Sequence, residues 1–98
     1  MSKFERIIVS RHPAAIEFIR RETCLPDSCY AYESATADVV RGKIVYGNIP
    51  LHLAALAAEV VAVEFSGAPP RGTEYGLAEM DAAGARLVRY VVRVPEEG

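Results

Sequence analysis

The segment Arg6-Ile7-Ile8-Val9-Ser10-Arg11-His12-Pro13 joins an apolar run to a polar turn and decides the fold class. Its β-branched run is typical of a strand buried on both faces of a parallel sheet, so we predict a strand over 6–10. Pro13 suits the first turn of a helix, where its missing N–H costs nothing, and the helix is predicted to run to about Thr23. Its apolar stripe consists of Ala15, Ile16, Phe18 and Ile19. The segment therefore predicts the strand, turn and helix from which α/β folds are built.

The rest of the chain repeats this alternation. Further strands are predicted over 29–32, 43–46, 60–65 and 87–94, and helices from Pro50 to about Glu59 and over 77–83. Residues 33–41 are predicted as a loop or helical turn and 66–76 as a loop, and Asn48 is expected to cap the helix at Pro50. The alternation predicts a single Rossmann-like α/β domain over 1–98, a mostly parallel sheet flanked by helices.

The composition excludes several classes of protein. Of the 98 residues, 51% are hydrophobic and 24% charged, as in a globular domain, and the net charge of −2 gives no general attraction to long nucleic acids. No apolar segment is long enough to cross a bilayer and none resembles a signal peptide, so we expect no membrane partner and a cytoplasmic location. Two cysteines cannot complete a zinc site, and no glycine-rich dinucleotide or P-loop motif occurs. We therefore expect no metal and no cofactor.

Two polar turns carry the chemistry that the sequence offers. Ser10, Arg11 and His12 follow the first strand, and a second turn with His52 in the following helix comes after strand 43–46. The carboxyl ends of parallel strands meet at one edge of a sheet, so the turns are expected to lie together. An arginine can bind a phosphate through two hydrogen bonds, and a histidine can transfer protons near neutral pH, so the first turn is a candidate phosphate site. The alternative is a pair of polar loops in which His12 and Asn48 serve only as helix caps.

Four arginines outside these turns allow two interpretations each. Arg71, with Tyr75, lies in the Pro/Gly-rich loop and either closes over a ligand or stays solvated. Arg89 and Arg93 alternate with apolar residues in the last predicted strand, and together with Arg86 they are expected to form the exposed face of an edge strand rather than part of a site.

Three segments resemble a known family. Residues 10–18 (SRHPAAIEF), 47–55 (GNIPLHLAA) and 77–87 (LAEMDAAGARL) are similar to the signatures of a small CARF-like ring nuclease family encoded beside type III CRISPR systems. Two long signatures in order at the right separation make the resemblance specific, and it covers nearly the whole chain. The family commonly has Thr where this chain has Asn48.

The resemblance implies a metal-independent ring nuclease. It would open a cyclic oligoadenylate, with cyclic tetra-adenylate as the expected ring, to linear products that end in a 2′,3′-cyclic phosphate. That reaction switches off type III CRISPR antiviral signalling, and the resemblance also implies a homodimer that binds the ring across its two-fold axis. The alternatives are a non-catalytic sponge or sensor of the same ring and a structural domain for protein–protein contact.

The site residues predicted for this reaction lie in the two turns and the Pro/Gly-rich loop. The catalytic residues are His12 as general acid or base, Arg11 on the phosphate and Ser10 on an oxygen. The ligand-binding residues are Ser10, Arg11, Gly47, Asn48, Pro50, His52 and Arg71.

Overall fold

Nine short elements alternate along the chain in a computed structural model that describes residues 5–25, 29–67 and 76–95. In chain order they are β1 (Arg6–Val9), α1 (Pro13–Thr23), β2 (Ala31–Tyr32), α2 (Ala37–Val40), β3 (Ile44–Tyr46), α3 (Leu51–Ala54), β4 (Glu59–Phe65), α4 (Leu77–Ala82) and β5 (Ala85–Tyr90). The predicted α/β class is confirmed. The predicted strand over 29–32 is limited to two residues, and the predicted loop or helical turn over 33–41 contains α2.

The sheet has the strand order β2-β1-β3-β4-β5. β1 pairs in parallel with β2 on one side and with β3 on the other, and β4 continues the parallel part. β5 is antiparallel to β4, from the pair Phe65–Ala85 to the pair Val60–Tyr90. The sheet is therefore mostly parallel, as predicted, and the order of the strands reverses between β1 and β3.

Helices cover both faces of the sheet, which explains why β1 is apolar at successive positions. Ile8 packs on one face with Phe18 of α1 and Met80 of α4. Ile7 and Val9 point to the other face, where a second cluster includes Val40 and Val45 and is bordered by residues of α2 and α3. Successive side chains of a strand alternate between faces, so a strand between two helical layers needs an apolar residue at every position.

The helix after β1 forms as predicted. Pro13 occupies its first turn, and it ends at Thr23, beyond which Cys24 adopts a left-handed conformation and its N–H donates to the carbonyl oxygen of Arg20. Arg21 then joins this helix to α4 through hydrogen bonds to both carboxylate oxygens of Asp81. These bonds lower the pKa of Asp81. This half-exposed pair links the two helices on that face.

The helix that follows Pro50 is shorter than predicted. It ends at Ala54 rather than near Glu59, and β4 already begins at Glu59. The N–H groups of Ala58 and Glu59 both donate to the carbonyl oxygen of Lys43, just before β3, which draws the chain back to the amino end of the sheet. The apolar residues of 55–58 thus form a tight turn, and tertiary hydrogen bonding overrides their helix propensity.

The last strand is displaced from its predicted bounds of 87–94. It begins at Ala85, because Gly84 with φ +75° turns the chain directly against the end of β4. It ends at Tyr90, whose partner Val60 lies one residue inside the start of β4 at Glu59. Of the predicted loop over 66–76, residues 68–75 lie outside the described residues.

No helix among residues 5–25, 29–67 and 76–95 is long and apolar enough to cross a membrane.

Candidate ligand-binding cleft

A cleft of about 600 Å³ opens at the carboxyl ends of β1 and β3. This is the point where the strand order reverses, and such switch points are where open α/β sheets bind ligands. Its volume lies within the range of small-molecule sites. The lining combines both predicted turns with apolar residues from both helical layers: Val9, Ser10, Arg11, His12, Ala15, Ile19, Glu33, Ser34, Ala35, Gly47, Asn48, Ile49, Pro50, Leu53, Val63, Phe65 and Met80.

The first turn is held by a local hydrogen bond. The N–H of Ser10 donates to the carbonyl oxygen of Tyr32 at 2.9 Å and extends the pairing of β1 with β2. The backbone N–H of His12 then donates to the hydroxyl oxygen of Ser10 at 3.1 Å. His12 is the N-cap residue of α1, but its side chain makes no capping hydrogen bond. The interpretation of His12 as a side-chain cap is therefore wrong, and its imidazole lines the cleft instead.

Arg11 and His12 both line the cleft, but their side chains differ in how accessible they are to a ligand. Arg11 is exposed, and its Nε donates to the carbonyl oxygen of Glu33 at a long 3.4 Å, so the guanidinium reaches across the cleft toward the loop after β2. His12 is half-buried, and each of its ring nitrogens exposes less than 1 Å². A ligand therefore reaches the guanidinium directly, whereas contact with the imidazole nitrogens requires the ring to turn.

The second turn approaches β1 closely. Gly47 is buried at φ +139°, and its N–H donates to the carbonyl oxygen of Val61 at 2.9 Å. A Cβ at this position would overlap the backbone carbonyl oxygen of Val9. Only glycine fits this combination of backbone angle and close contact. Gly47 therefore sets how near the second turn comes to the first.

Asn48 is engaged with the neighbouring strand. Its Nδ2 donates to the carbonyl oxygen of Val63 at 3.1 Å, and the N–H of Val63 donates to its Oδ1 at 2.8 Å. The carboxamide thus imitates one more backbone pair between β3 and β4. The prediction that Asn48 caps the following helix is wrong, because Pro50 is the N-cap residue and the amide is bound to β4 instead.

Two predicted ligand-binding residues are not among those that the structure places at the cleft, for different reasons. His52 lies in α3 as predicted, but it is exposed and does not line the cleft, and its role stays a prediction. Arg71, with Tyr75, lies outside the described residues. The other predicted site residues, Ser10, Arg11, Gly47, Asn48 and Pro50, line the cleft together with His12.

One wall of the cleft was not anticipated from the sequence. Glu33, Ser34 and Ala35 follow β2 and line the cleft on the side of Arg11. The signal was available, since β2 is a further parallel strand and its carboxyl end must reach the same edge. The predicted strand over 29–32 was not assigned a position in the sheet, so the signal was not used. Among the described residues, no group of three or more His, Cys, Asp or Glu side chains is arranged to hold a metal ion.

Residues 7–93 match the model of a family described as "Putative CRISPR-associated protein (Cas_VVA1548)". The chain belongs to this family. The match runs from within β1 to beyond the end of β5, so both turns and the cleft lie in the part that defines the family. No curated protein and no solved structure matches the chain.

Proposed function

We propose that the protein is a metal-independent ring nuclease that opens cyclic oligoadenylate, with cyclic tetra-adenylate as the expected ring. The observation that carries this proposal is the meeting of Ser10, Arg11 and His12 with the turn at Gly47 and Asn48 around one cleft. A guanidinium, a hydroxyl and an imidazole at a switch point suit a phosphodiester ligand. Membership of a CRISPR-associated family supports a nucleotide signal of CRISPR defence as that ligand, and cleavage would switch the signal off.

The proposed reaction needs no external nucleophile. A ribose 2′-oxygen attacks the adjacent phosphorus, the new P–O2′ bond closes a 2′,3′-cyclic phosphate, and the P–O5′ bond breaks. A proton leaves the 2′-hydroxyl and a proton is delivered to the departing 5′-oxygen. The enzyme has to hold the 2′-oxygen in line with the leaving oxygen and to stabilise the negative charge that develops on the phosphate. Two such cuts in a cyclic tetranucleotide give two linear dinucleotides.

The side chains of the cleft divide these tasks. Arg11 is exposed at the rim and is assigned to the phosphate oxygens, which a guanidinium binds through two parallel N–H groups. Ser10 is assigned to a further oxygen contact, and His12 to proton transfer once its ring turns toward the ligand. The backbone at Gly47, Asn48 and Pro50 forms the wall against which the nucleotide is placed.

The proposal includes a homodimer. A cyclic tetra-adenylate has two-fold symmetry, so a pair of chains related by a two-fold axis presents the same cleft to two equivalent ribose–phosphate steps. Two further residues, His52 on the exposed surface of α3 and Arg71, are proposed to complete contacts with the ring in that assembly.

A cleavage assay in EDTA tests the proposal. The purified protein is incubated with cyclic tetra- and hexa-adenylate, and mass spectrometry identifies linear products with a 2′,3′-cyclic phosphate. His12→Ala is expected to lower turnover by about 10²–10⁴-fold while it keeps much of the affinity. Arg41→Ala, an exposed arginine outside the cleft, is the matched control and is expected to cleave normally. Intact ring in EDTA at high enzyme concentration would overturn the proposal.

Burial of both ring nitrogens of His12 favours a second candidate, a sponge or sensor that binds the ring without cutting it. A binding titration alongside the cleavage assay separates the two. A sponge captures the ring in a fixed stoichiometry and releases it unchanged, whereas the nuclease returns linear product. If no cyclic oligoadenylate binds or shifts the melting temperature, both candidates fail and a structural domain for protein contact is favoured.

A further inference from the structure

The edge strand β5 continues into residues 91–95, for which no pairing strand lies among the described residues 5–25, 29–67 and 76–95. Its ladder with β4 ends at the Val60–Tyr90 pair. One further step of that register brings Val91 opposite Glu59, the first residue of β4, and residues 92–95 run past it. Three valines in 91–94 give this segment the composition of a strand. Strand-forming sequence that extends past its neighbour at the edge of a sheet is a template for pairing with another chain.

Exposed apolar side chains concentrate at the same place. Tyr90 is 42% exposed, Val91 64% and Val94 70%. They are three of the five exposed large hydrophobic residues among those the structure describes. A cluster of this kind on a small domain marks an interaction surface more often than a single exposed side chain does.

The charges on β5 do not protect this edge. Arg89 pairs with Glu59 at 3.1 Å, and Arg86 lies 3.7 Å from Glu64, so each of these arginines has an acidic neighbour on β4 of the same chain. Natural edge strands avoid association through unpaired charges that point at an incoming strand. Here the charges of Arg86 and Arg89 are directed to β4 and Arg93 is the remaining cation of the edge, which leaves a largely apolar, self-complementary surface for a second copy.

We propose that residues 86–94 pair antiparallel with the same segment of a second copy, about a two-fold axis at Tyr90. A two-fold axis perpendicular to the sheet must lie beside a residue that pairs with its own copy, because side chains that lie directly opposite one another point to the same face of the sheet. An axis at Val91 would place Arg89 opposite Arg93, and an axis at Arg93 would place that residue opposite itself. Like charges directly opposite one another are destabilising, which excludes both registers.

An axis at Tyr90 gives each unpaired segment a partner. Val92 then lies opposite Val88 of the second copy, Val91 opposite its Arg89, and Val94 opposite its Arg86. An axis at Val92 would instead join the two unpaired segments only to each other, outside both sheets. The Tyr90 register is therefore the one that continues β5 of one copy into β5 of the next.

This interface is distinct from the one in the proposed function. β5 runs antiparallel to β1, β3 and β4, so a two-fold axis at Tyr90 points the carboxyl edges of the two sheets in opposite directions. The two clefts then open at opposite ends of the assembly and cannot share one ring. The pairing stands whether or not the cleft binds a cyclic nucleotide.

Charge substitutions at two exposed valines test the register. Val91→Lys with Val94→Lys places lysines opposite Arg89 and Arg86 of the second copy. Because like charges repel, the pair should separate, and the mass measured by light scattering is expected to halve. Val91→Glu with Val94→Glu alters the same side chains but places carboxylates opposite those arginines, so the mass is expected to stay at the wild-type value. A wild-type chain that is monomeric, or two double variants that behave alike, would overturn the proposal.

Disulfide trapping gives a second measurement in a Cys24→Ser background, which removes the exposed native thiol. Tyr90→Cys lies on the axis and is expected to form a covalent dimer on mild oxidation. Val92→Cys on its own lies opposite Val88 and is expected to stay uncrosslinked, whereas a mixture of Val92→Cys and Val88→Cys chains should crosslink. Efficient crosslinking of Val92→Cys with itself would contradict the register.

Discussion

The two turns of the cleft occupy equivalent places, after adjacent parallel strands, yet they are built differently. The first turn presents an exposed guanidinium whose hydrogen bond, 3.4 Å long, goes to a loop carbonyl. The second turn uses its polar side chain within the fold, since both polar atoms of the Asn48 amide bind Val63, and Gly47 is pressed against β1. One turn supplies side chains to a ligand and the other supplies a fixed wall.

This difference separates function from stability in a measurable way. Loss of the exposed guanidinium of Arg11 in the first turn is expected to act on the ligand and to leave the unfolding free energy nearly unchanged. Changes in the second turn are expected to act first on stability and on the shape of the cleft. The predictions below test that separation.

Gly47→Ala is expected to have the largest effect. The new Cβ would meet the carbonyl oxygen of Val9, at a backbone angle that alanine avoids, so the free energy of unfolding should fall by about 2–4 kcal/mol. Chemical denaturation measures this. Gly42→Ala is the matched control: its φ is +71° but no atom lies within 4 Å of the added Cβ, so it should cost only about 1 kcal/mol. Equal losses for the two variants would show that the close approach to β1 is not what Gly47 provides.

Arg11→Ala is expected to weaken binding of cyclic tetra-adenylate about 10–100-fold, because a charged hydrogen-bond donor to the phosphate is lost. Its side chain is exposed, so the unfolding free energy should change by less than about 0.5 kcal/mol. Titration calorimetry and denaturation give the two numbers. Arg11→Lys should recover part of the affinity, since it keeps the charge but not the planar fork. Normal affinity in Arg11→Ala would remove the guanidinium from the proposed site.

Asn48→Ala should lower the free energy of unfolding by about 2 kcal/mol, because the N–H and carbonyl of Val63 both lose their side-chain partner. Asn48→Thr introduces the residue that is common in the family resembled by the sequence. Its hydroxyl can replace one of the two hydrogen bonds, so the free energy of unfolding should fall by about half as much. Both are measured by thermal and chemical unfolding. An alanine variant as stable as the wild type, but with weakened ligand binding, would place Asn48 among the ligand contacts and remove the distinction between the turns.

The sequence was sufficient to predict the edge at which the site lies. The apolar run of β1, Pro13 at the start of α1 and the polar residues after two strands each follow from local rules, and the structure brings both turns to one cleft. Residues 33–35 were missed although the strand before them was predicted with the correct carboxyl end, because no strand order that would place that end beside the first turn could be read from the sequence.

Local sequence patterns did not predict which groups pair across the fold. Asn48 has the residue type and the position of a helix cap. No local sequence pattern predicts that its partner is Val63, 15 residues later. The predicted end of β5 was wrong for a related reason. Residues 91–94 have the composition of a strand, but the ladder with β4 ends at Tyr90. Pairing across the fold, rather than propensity, decided both.

Ser10→Ala is expected to have the smallest effect and to show which kind of turn residue Ser10 is. Its hydroxyl oxygen accepts the backbone N–H of His12, so the loss should cost about 1 kcal/mol of stability and shift α1 only slightly. Ser34→Ala, an exposed serine on the opposite wall, is the matched control and should be neutral. If turnover of cyclic tetra-adenylate falls with unchanged KM while stability drops by that amount, Ser10 contacts the reacting phosphate in addition to holding the turn. If turnover stays at the wild-type value, Ser10 only positions the backbone, and the first turn acts on the ligand through Arg11 and His12.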